Sequence, residues 1–464
     1  MRPPGYGEGQ PRLDDDRLPV VLVVLDGLGD RPVPALGDRT PSEAAHTPVL
    51  DELAARGASG WHLPFGWGRA PSSELAHWAM FGYADVPFPG RAVLEALGAG
   101  IEVPPGVAVT HAALRTSAVG PDGRVWITGR AASTDGDDAA ALLGDVAAVA
   151  ADHGMRLEAL GGRGEALLVL GDDADGRVTD SDPFFEDRHP WLRVLPHDET
   201  PGAAPTADAL TALLLDVRAT LAEHPRNAAR RDRGLPALDV LTTKWSGARG
   251  EVPGFAAQVG IPGAAVTSTR LYRGLAALLG LRSRHVPPYL DPRTDLGAEL
   301  DDRLAAAREL LDEGAAFVHV HTKATDDAGH TKDPRAKLEV LEAADPGLAP
   351  LLELAEHAVV AVTGDHATPS TGGVLHTGDP TPLVVAGPTV RSDGVTAFGE
   401  GPACAGWYGS VTARELLPLL LGHANRAAFL GHRPGARATP ALPDAPEAMV
   451  VPPGVRRGAG RRSG

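Results

Sequence analysis

At 464 residues the chain can hold two or three domains around a large core, and a content of 43% apolar and 22% charged residues is that of a globular protein. Sixty acidic against 43 basic residues give a formal charge of −17, which argues against a nucleic-acid duplex as partner, because its phosphate backbone would be repelled unless a local basic patch existed. A single cysteine, Cys404, no signal-like apolar segment at the N-terminus and no run of roughly 20 apolar residues make the expected setting the reducing cytoplasm, away from any membrane.

Residues 1–17 read as a flexible tail. LPVVLVVLD (18–26) is a continuous β-branched run, as expected of a parallel strand buried on both faces. TPVLDELAARG (47–57) follows as a helix, with Thr47 at its N-cap, Pro48 at its first position and Gly57 at its end. A Gly- and Pro-rich loop then contains PSSELAH (71–77), where a serine taken alone is most simply a turn or cap residue. From 106 to 235 the strands are shorter and more alternating (GVAVTHAALRTSAV, GRVWITGR, EALLVLG) and mix with helices such as TADALTALLLDVRATLAEH. Buried runs return at AAFVHVHTK (315–323), HAVVAVTGD (357–365) and TPLVVAG (381–387), with helices at 295–314 and 412–427. The predicted fold is α/β: a doubly wound sheet with helices on both faces, formed by 18–105 and 236–440. A smaller α+β domain, 106–235, is inserted into it, and 441–464 form a second flexible tail.

In an open parallel sheet, ligands bind outside the carboxyl ends of the strands. The first strand here ends in Asp26; the strand at 315–323 runs into KATDDAGH, with Asp326 and His330 four apart; the strand at 357–365 ends in Asp365 and His366, and His376 follows ten residues on. A lone Asp at a strand end is usually a cap. Three carboxylates and three histidines at three strand ends would repel and ionise at a cost unless cations relieved them. Mixed His and Asp ligation suits Zn²⁺ or Mn²⁺ better than Ca²⁺, and six ligands suffice for two ions. Two metals beside a hydroxyl suggest phosphoryl transfer.

These residues resemble a known family, the cofactor-independent (2,3-bisphosphoglycerate-independent) phosphoglycerate mutases of the archaeal type, in the alkaline phosphatase superfamily. VVLVVLDGLGDRPVPALGDRTPSEAAHTPVLDELAARG is similar to that family's opening strand, metal-binding Asp and first helix. SSELAHWAMFGY followed by PGRAVLEALGAGI resembles its nucleophile segment, in which the reactive Ser precedes a His by four residues; this selects Ser73 over Ser72, with His77 as the marker. VHVHTKATDDAGH and TGDHATPSTGGVLHTGDP resemble its ligand stretches. The resemblance spans roughly 18–435 and implies an alkaline-phosphatase-like fold. It implies that Asp26, Ser73, Asp365 and His366 hold one ion and Asp326, His330 and His376 the other, as Mn²⁺ or Zn²⁺ with Mg²⁺ as a third choice. Ser73 would accept the phosphoryl group and return it to the neighbouring hydroxyl, interconverting 3-phosphoglycerate and 2-phosphoglycerate in glycolysis, while the inserted domain keeps water out.

The departures from the family pattern fall where the substrate would be read. A family RRAGR leaves Arg130 between Gly129 and Ser133; a family DPH appears as Asp182, Pro183, Phe184; a family RGAG appears as KWSG, with Lys244 and Trp245. Arg to Lys loses the bidentate fork for an anion. Arg91, Arg273 and Lys323 are further basic candidates for the substrate, and Lys337 either matches a family lysine or pairs with Asp333 four residues before it. Cys404 is expected as a small buried hydrophobe. The partner implied is a small phosphorylated carboxylate. The alternatives are a mutase or phosphohydrolase for a different phospho- or phosphono-carboxylate, and a non-catalytic metabolite-binding homologue, against which the retained nucleophile argues.

Overall fold

The computed structural model describes residues 16–161, 163–183, 188–429, 439–440 and 449–450. Nearly all of both expected tails, and Phe184, lie outside the described residues. In chain order the strands are β1 (Val20–Leu25), β2 (Ala58–His62), β3 (Ala108–Val119), β4 (Val125–Arg130), β5 (Arg156–Gly161), β6 (Glu165–Val169) and β7 (His189–Pro190). They continue with β8 (Leu238–Ala248), β9 (Gly263–Thr267), β10 (Arg282–His285), β11 (Phe317–Thr322), β12 (Val359–Thr363), β13 (Thr381–Ala386) and β14 (Ser410–Val411).

Eight of these form the large sheet, in the order β10-β9-β11-β1-β12-β13-β2-β14. Every residue of β1 is fully buried, because its two faces feed two separate cores: Val20, Leu22 and Val24 one, Val21, Val23 and Leu25 the other. That double burial is why the strand reads as an unbroken apolar run. β11 and β12 flank β1 and run parallel to it. The run at 381–387 departs from expectation in direction: β13 is buried throughout but antiparallel to both β12 and β2. Burial on both faces, which gives the run its composition, is indifferent to strand direction.

The small lobe is built on a six-stranded antiparallel sheet. One edge of β3 pairs with β6 over Val109–Ala113 and with β4 over Arg115–Val119, while β8 pairs along the other edge. β8 thus belongs to the small-lobe sheet, although the sequence reading closes the inserted segment at residue 235. Apolar residues of the helices Gly136–Asp152 and Ala203–Ala222 pack on this sheet in one core. Val109 and Leu167 instead pack against Ala92, Val93 and Ala96 of the large-lobe helix Arg91–Gly98. At this seam the two lobes cross at glycines. A Cβ on Gly247 would lie 2.0 Å from the carbonyl oxygen of Pro89, and one on Gly90 would lie 2.7 Å from the Cα of Gly247. No side chain fits there. Cys404, the last residue of the short helix Glu400–Cys404, is exposed rather than buried.

Candidate active site

Because β11, β1 and β12 are adjacent and parallel, their carboxyl ends deliver three loops to one place. Asp26 follows β1; Lys323 and the helix Ala324–His330, carrying Asp326 and His330, follow β11; Asp365 and His366 follow β12. Ser73 is the first residue of the helix Ser73–Trp78, and its Oγ lies 3.0 Å from His366 Nε2, 3.3 Å from Asp26 Oδ1 and 3.4 Å from Lys323 Nζ. The sequence therefore brings together all seven residues of the expected metal and nucleophile set. Ser72 stands at the N-cap position of the same helix without a capping hydrogen bond. His77, one turn on from Ser73, bonds the Ser73 carbonyl through Nδ1 at 2.8 Å and so braces the nucleophile's backbone.

Two trios of ligand atoms lie mutually within 4.8 Å: Asp326 with His330 and His376, and Asp26 with Asp326 and His366. Asp326 thus stands between the two groups, with Oδ2 3.2 Å from His330 Nε2 and Oδ1 3.6 Å from His376 Nε2. Asp365 is anchored by Gly27 N–H donating to its Oδ1 at 2.9 Å, while its Oδ2, buried and without a hydrogen-bond partner, is 3.5 Å from His366 Nε2. An orphaned buried carboxylate oxygen beside an imidazole nitrogen is costly in a closed protein and natural in a metal ligand. The donor set fits divalent cations.

The charges point the same way. Burial alone would raise Asp26, but Lys323 beside it, at 3.0 Å, holds it well below the ordinary carboxylate range. Asp326 is likewise held low against its burial by the His330 and His376 contacts. Asp365 is pushed up to about 7 by burial and by the neighbouring Asp26. Burial lowers His366 to about 3, so its imidazole is neutral, as a ligand must be.

A second layer orients Asp26. Its Oδ2 accepts from Tyr272 Oη at 3.0 Å and from His321 Nε2 at 2.9 Å, and the Ser268 hydroxyl is 2.7 Å from His321 Nδ1. Since the carboxylate can only accept and burial keeps His321 neutral, with its pKa lowered to about 3, Nε2 carries the proton and Ser268 donates to Nδ1. The sequence reading misses Tyr272 and His321. A signal for the second exists in VHVHT, where His319 and His321 interrupt a buried strand on one face.

The basic candidates separate. Lys323 Nζ lies inside the carboxylate cluster, 2.5 Å from Asp326 Oδ2, and its ammonium is stabilised against burial by Asp26 and Asp326. Lys337 does not pair with the Asp333 side chain: its fully buried Nζ donates to Gly29 O, Asp30 Oδ2 and Thr368 O at 2.9, 3.1 and 2.8 Å, so it braces loops. Asp333 instead caps the helix Pro334–Ala344. Arg273 is exposed on the helix Arg270–Leu279 and, among the described residues, bonds to none of the site groups.

Arg91 lines the cleft between the lobes, a space of about 840 Å³ lined also by Glu74, Asp175, His197 and Trp245 among others, and Lys244 lies against the Trp245 ring. Lys244 is buried and lies close to Arg115, Arg130 and Arg91; burial first, then these cations against the pull of Asp182, lower it to about 8. Arg130 itself is exposed at the end of β4.

A two-lobed metalloenzyme is what this fold and site define, and a family model described as the Metalloenzyme superfamily matches residues 18–416. The 2,3-bisphosphoglycerate-independent phosphoglycerate mutase 2 of Methanocaldococcus jannaschii is 32% identical over 427 residues, 90% of this chain and 96% of that protein. The 2,3-bisphosphoglycerate-independent phosphoglycerate mutase of Methanoculleus marisnigri is 34% identical over 423 residues, 90% of this chain and 99% of that one. Among solved structures, the cofactor-independent phosphoglycerate mutase of Thermoplasma acidophilum superposes with a TM-score of 0.56 at 27% identity, covering 88% of this chain and 99% of that one. The chain belongs to the 2,3-bisphosphoglycerate-independent phosphoglycerate mutase family.

Proposed function

We propose that the chain interconverts 3-phosphoglycerate and 2-phosphoglycerate through a phosphoserine at Ser73. The observation that carries this reading is the buried Ser73 Oγ, 3.0–3.4 Å from His366, Asp26 and Lys323. Asp26, Ser73, Asp365 and His366 would hold one divalent ion, and Asp326, His330 and His376 the other, with Mn²⁺ or Zn²⁺ preferred and Mg²⁺ accepted. Bound there, such ions supply charge neutralisation for the phosphoryl group and a lowered pKa for the serine hydroxyl.

Ser73 gives up its hydroxyl proton as its Oγ attacks phosphorus in line, the bond from phosphorus to the C3 oxygen breaks, and that oxygen takes up a proton. Glycerate stays in the cleft, its C2 hydroxyl gives up its proton as it attacks the phosphoserine, and the Ser73 Oγ–phosphorus bond breaks with a proton returning to Oγ. Lys323, charged and against Ser73 Oγ, offsets negative charge on the transferring group. The small lobe excludes water, whose attack on the phosphoserine would release free phosphate. The reaction is that of a cytoplasmic glycolytic enzyme. Trp245 in the cleft, with Lys244 against its ring, favours, as a second reading, the same chemistry on a different phospho- or phosphono-carboxylate.

Phosphorus NMR of the Mn²⁺-loaded protein with 3-phosphoglycerate decides between them. A growing 2-phosphoglycerate signal with little free phosphate supports the mutase. Free phosphate alone makes the enzyme a phosphatase, and an unchanged spectrum transfers the assignment to another phospho- or phosphono-acid.

A further inference from the structure

Trp245 stands in the left-handed region at φ 61°, a conformation that a bulky residue adopts only where its surroundings hold it. Here its N–H donates to Asp180 Oδ1 at 2.8 Å while its flank, β8, stays paired to β3. The outcome is an indole in the interlobe cleft with two cations on it. The Arg91 guanidinium carbon lies 3.8 Å and Lys244 Nζ 4.1 Å from the ring centroid, with the His111 ring 5.1 Å away. Arg91 comes from the large lobe, Lys244 from the small one. The Arg91 charge is among those that lower Lys244, and the electron-rich indole face attracts both cations.

Arg91 is aimed from its other side. Its Nε is 3.3 Å from Glu95 and its Nη1 3.4 Å from Glu74, the residue after Ser73, leaving Nη2 with no hydrogen bond among the described residues. A guanidinium tied on two nitrogens, with a third donor and a buried ammonium beside it, is a receptor for a planar anion.

We propose that Trp245 is a specificity-determining residue, its indole holding Arg91 and Lys244 together as one receptor for the carboxylate of a compact phospho-carboxylate whose phosphoryl group lies at Ser73. The proposal rests on the substrate class given above, and not on the mutase outcome. Phosphonoacetate, which carries both anionic groups, and ethylphosphonate, which lacks the carboxylate, are titrated calorimetrically into the Mn²⁺-loaded protein. The same titrations are made on Trp245→Gly, a residue suited to the positive φ, and on Trp245→Phe, which keeps a ring.

The wild-type protein should prefer phosphonoacetate by about tenfold or more, the scale of one charge-assisted hydrogen bond. Trp245→Gly should reduce that preference to about twofold or less without weakening ethylphosphonate, and Trp245→Phe should retain most of it. Equal affinities in the wild type, no binding of either compound, a preference that survives in Trp245→Gly, or an equal loss of both ligands would each overturn the proposal. A protein inert toward 3-phosphoglycerate that still shows the Trp245-dependent preference would remove the mutase reading and leave this one standing.

Discussion

Replacing Lys337 by methionine keeps the length of the side chain and removes its charge from a place no solvent reaches. Lys337 Nζ closes three contacts, to Gly29 O, Asp30 Oδ2 and Thr368 O. Gly29 lies three residues beyond Asp26 in the loop after β1, and Thr368 Oγ1 bonds Asp326 Oδ1 at 2.6 Å and His366 Nδ1 at 3.1 Å. The lysine therefore ties the loop after β1 to the loop after β12. Without it, Asp30 keeps only backbone donors, from Arg31 and Ser370, and two buried carbonyls lose a donor. Breaking one side of a buried ion pair costs about 3–5 kcal/mol; the two carbonyls add less than their separate values of about 1–3 kcal/mol because all three share one partner. Taking about 3–5 kcal/mol, and about 1 °C per kcal/mol for a chain of 464 residues, the melting temperature should fall by roughly 3–5 °C. Thermal unfolding followed by circular dichroism at fixed Mn²⁺ measures it, and Asp30→Asn in the same chain should restore part of the loss. A Lys337→Met protein melting within about 1 °C of wild type would refute the brace, since the broken buried pair alone predicts a fall of about 3 °C or more.

Ser73→Ala should abolish turnover while bound Mn²⁺, counted by elemental analysis, falls by less than one ion per chain; an active variant would rule out Ser73 as nucleophile. Removing Asp365 and His366 together should lower the metal count, and an unchanged count would exclude them as ligands. Lys244 is charged below about 8 and neutral above it, so kcat/KM for an anionic substrate should decline as pH rises through about 8, and Lys244→Arg should carry that limb to higher pH. A limb that stays in place in Lys244→Arg would assign it to another group.

What could be read from the sequence followed from burial. β1 is legible because both its faces are apolar, and the site is legible because Asp26, Asp326 and Asp365 each stand just past such a strand, where a carboxylate has no structural reason to recur. Direction and partnership are another matter. β13 has the composition of its parallel neighbours and runs against them; β8 looks like a strand of either sheet and pairs in the small one. Lys337 is visible as a lysine on a helix, but its three acceptors come from two loops, at residues 29–30 and 368, and only folding brings them to it. Tyr272 lies nearly 250 positions from Asp26, and nothing local marks it as a partner. The backbone at Trp245 is likewise invisible in the sequence, since tryptophan gives no hint of a left-handed φ.

The bare crossing of Gly90 and Gly247 has the form of a fulcrum. Arg91 is the next residue on one side, and Trp245 lies two residues away on the other. Rotation displaces an atom in proportion to its lever arm. β3 leaves the seam at Ala108, which pairs with Ala248, and at about 3.3 Å per residue its far end at Val119 lies roughly 36 Å out, so a swing of about 10° would carry it roughly 6 Å. The same swing moves groups beside the fulcrum by less than the width of an atom. The two cations on the indole would then keep their spacing at every opening angle, and ligand entry and exit would be governed at the rim without dismantling the point where the anion is held.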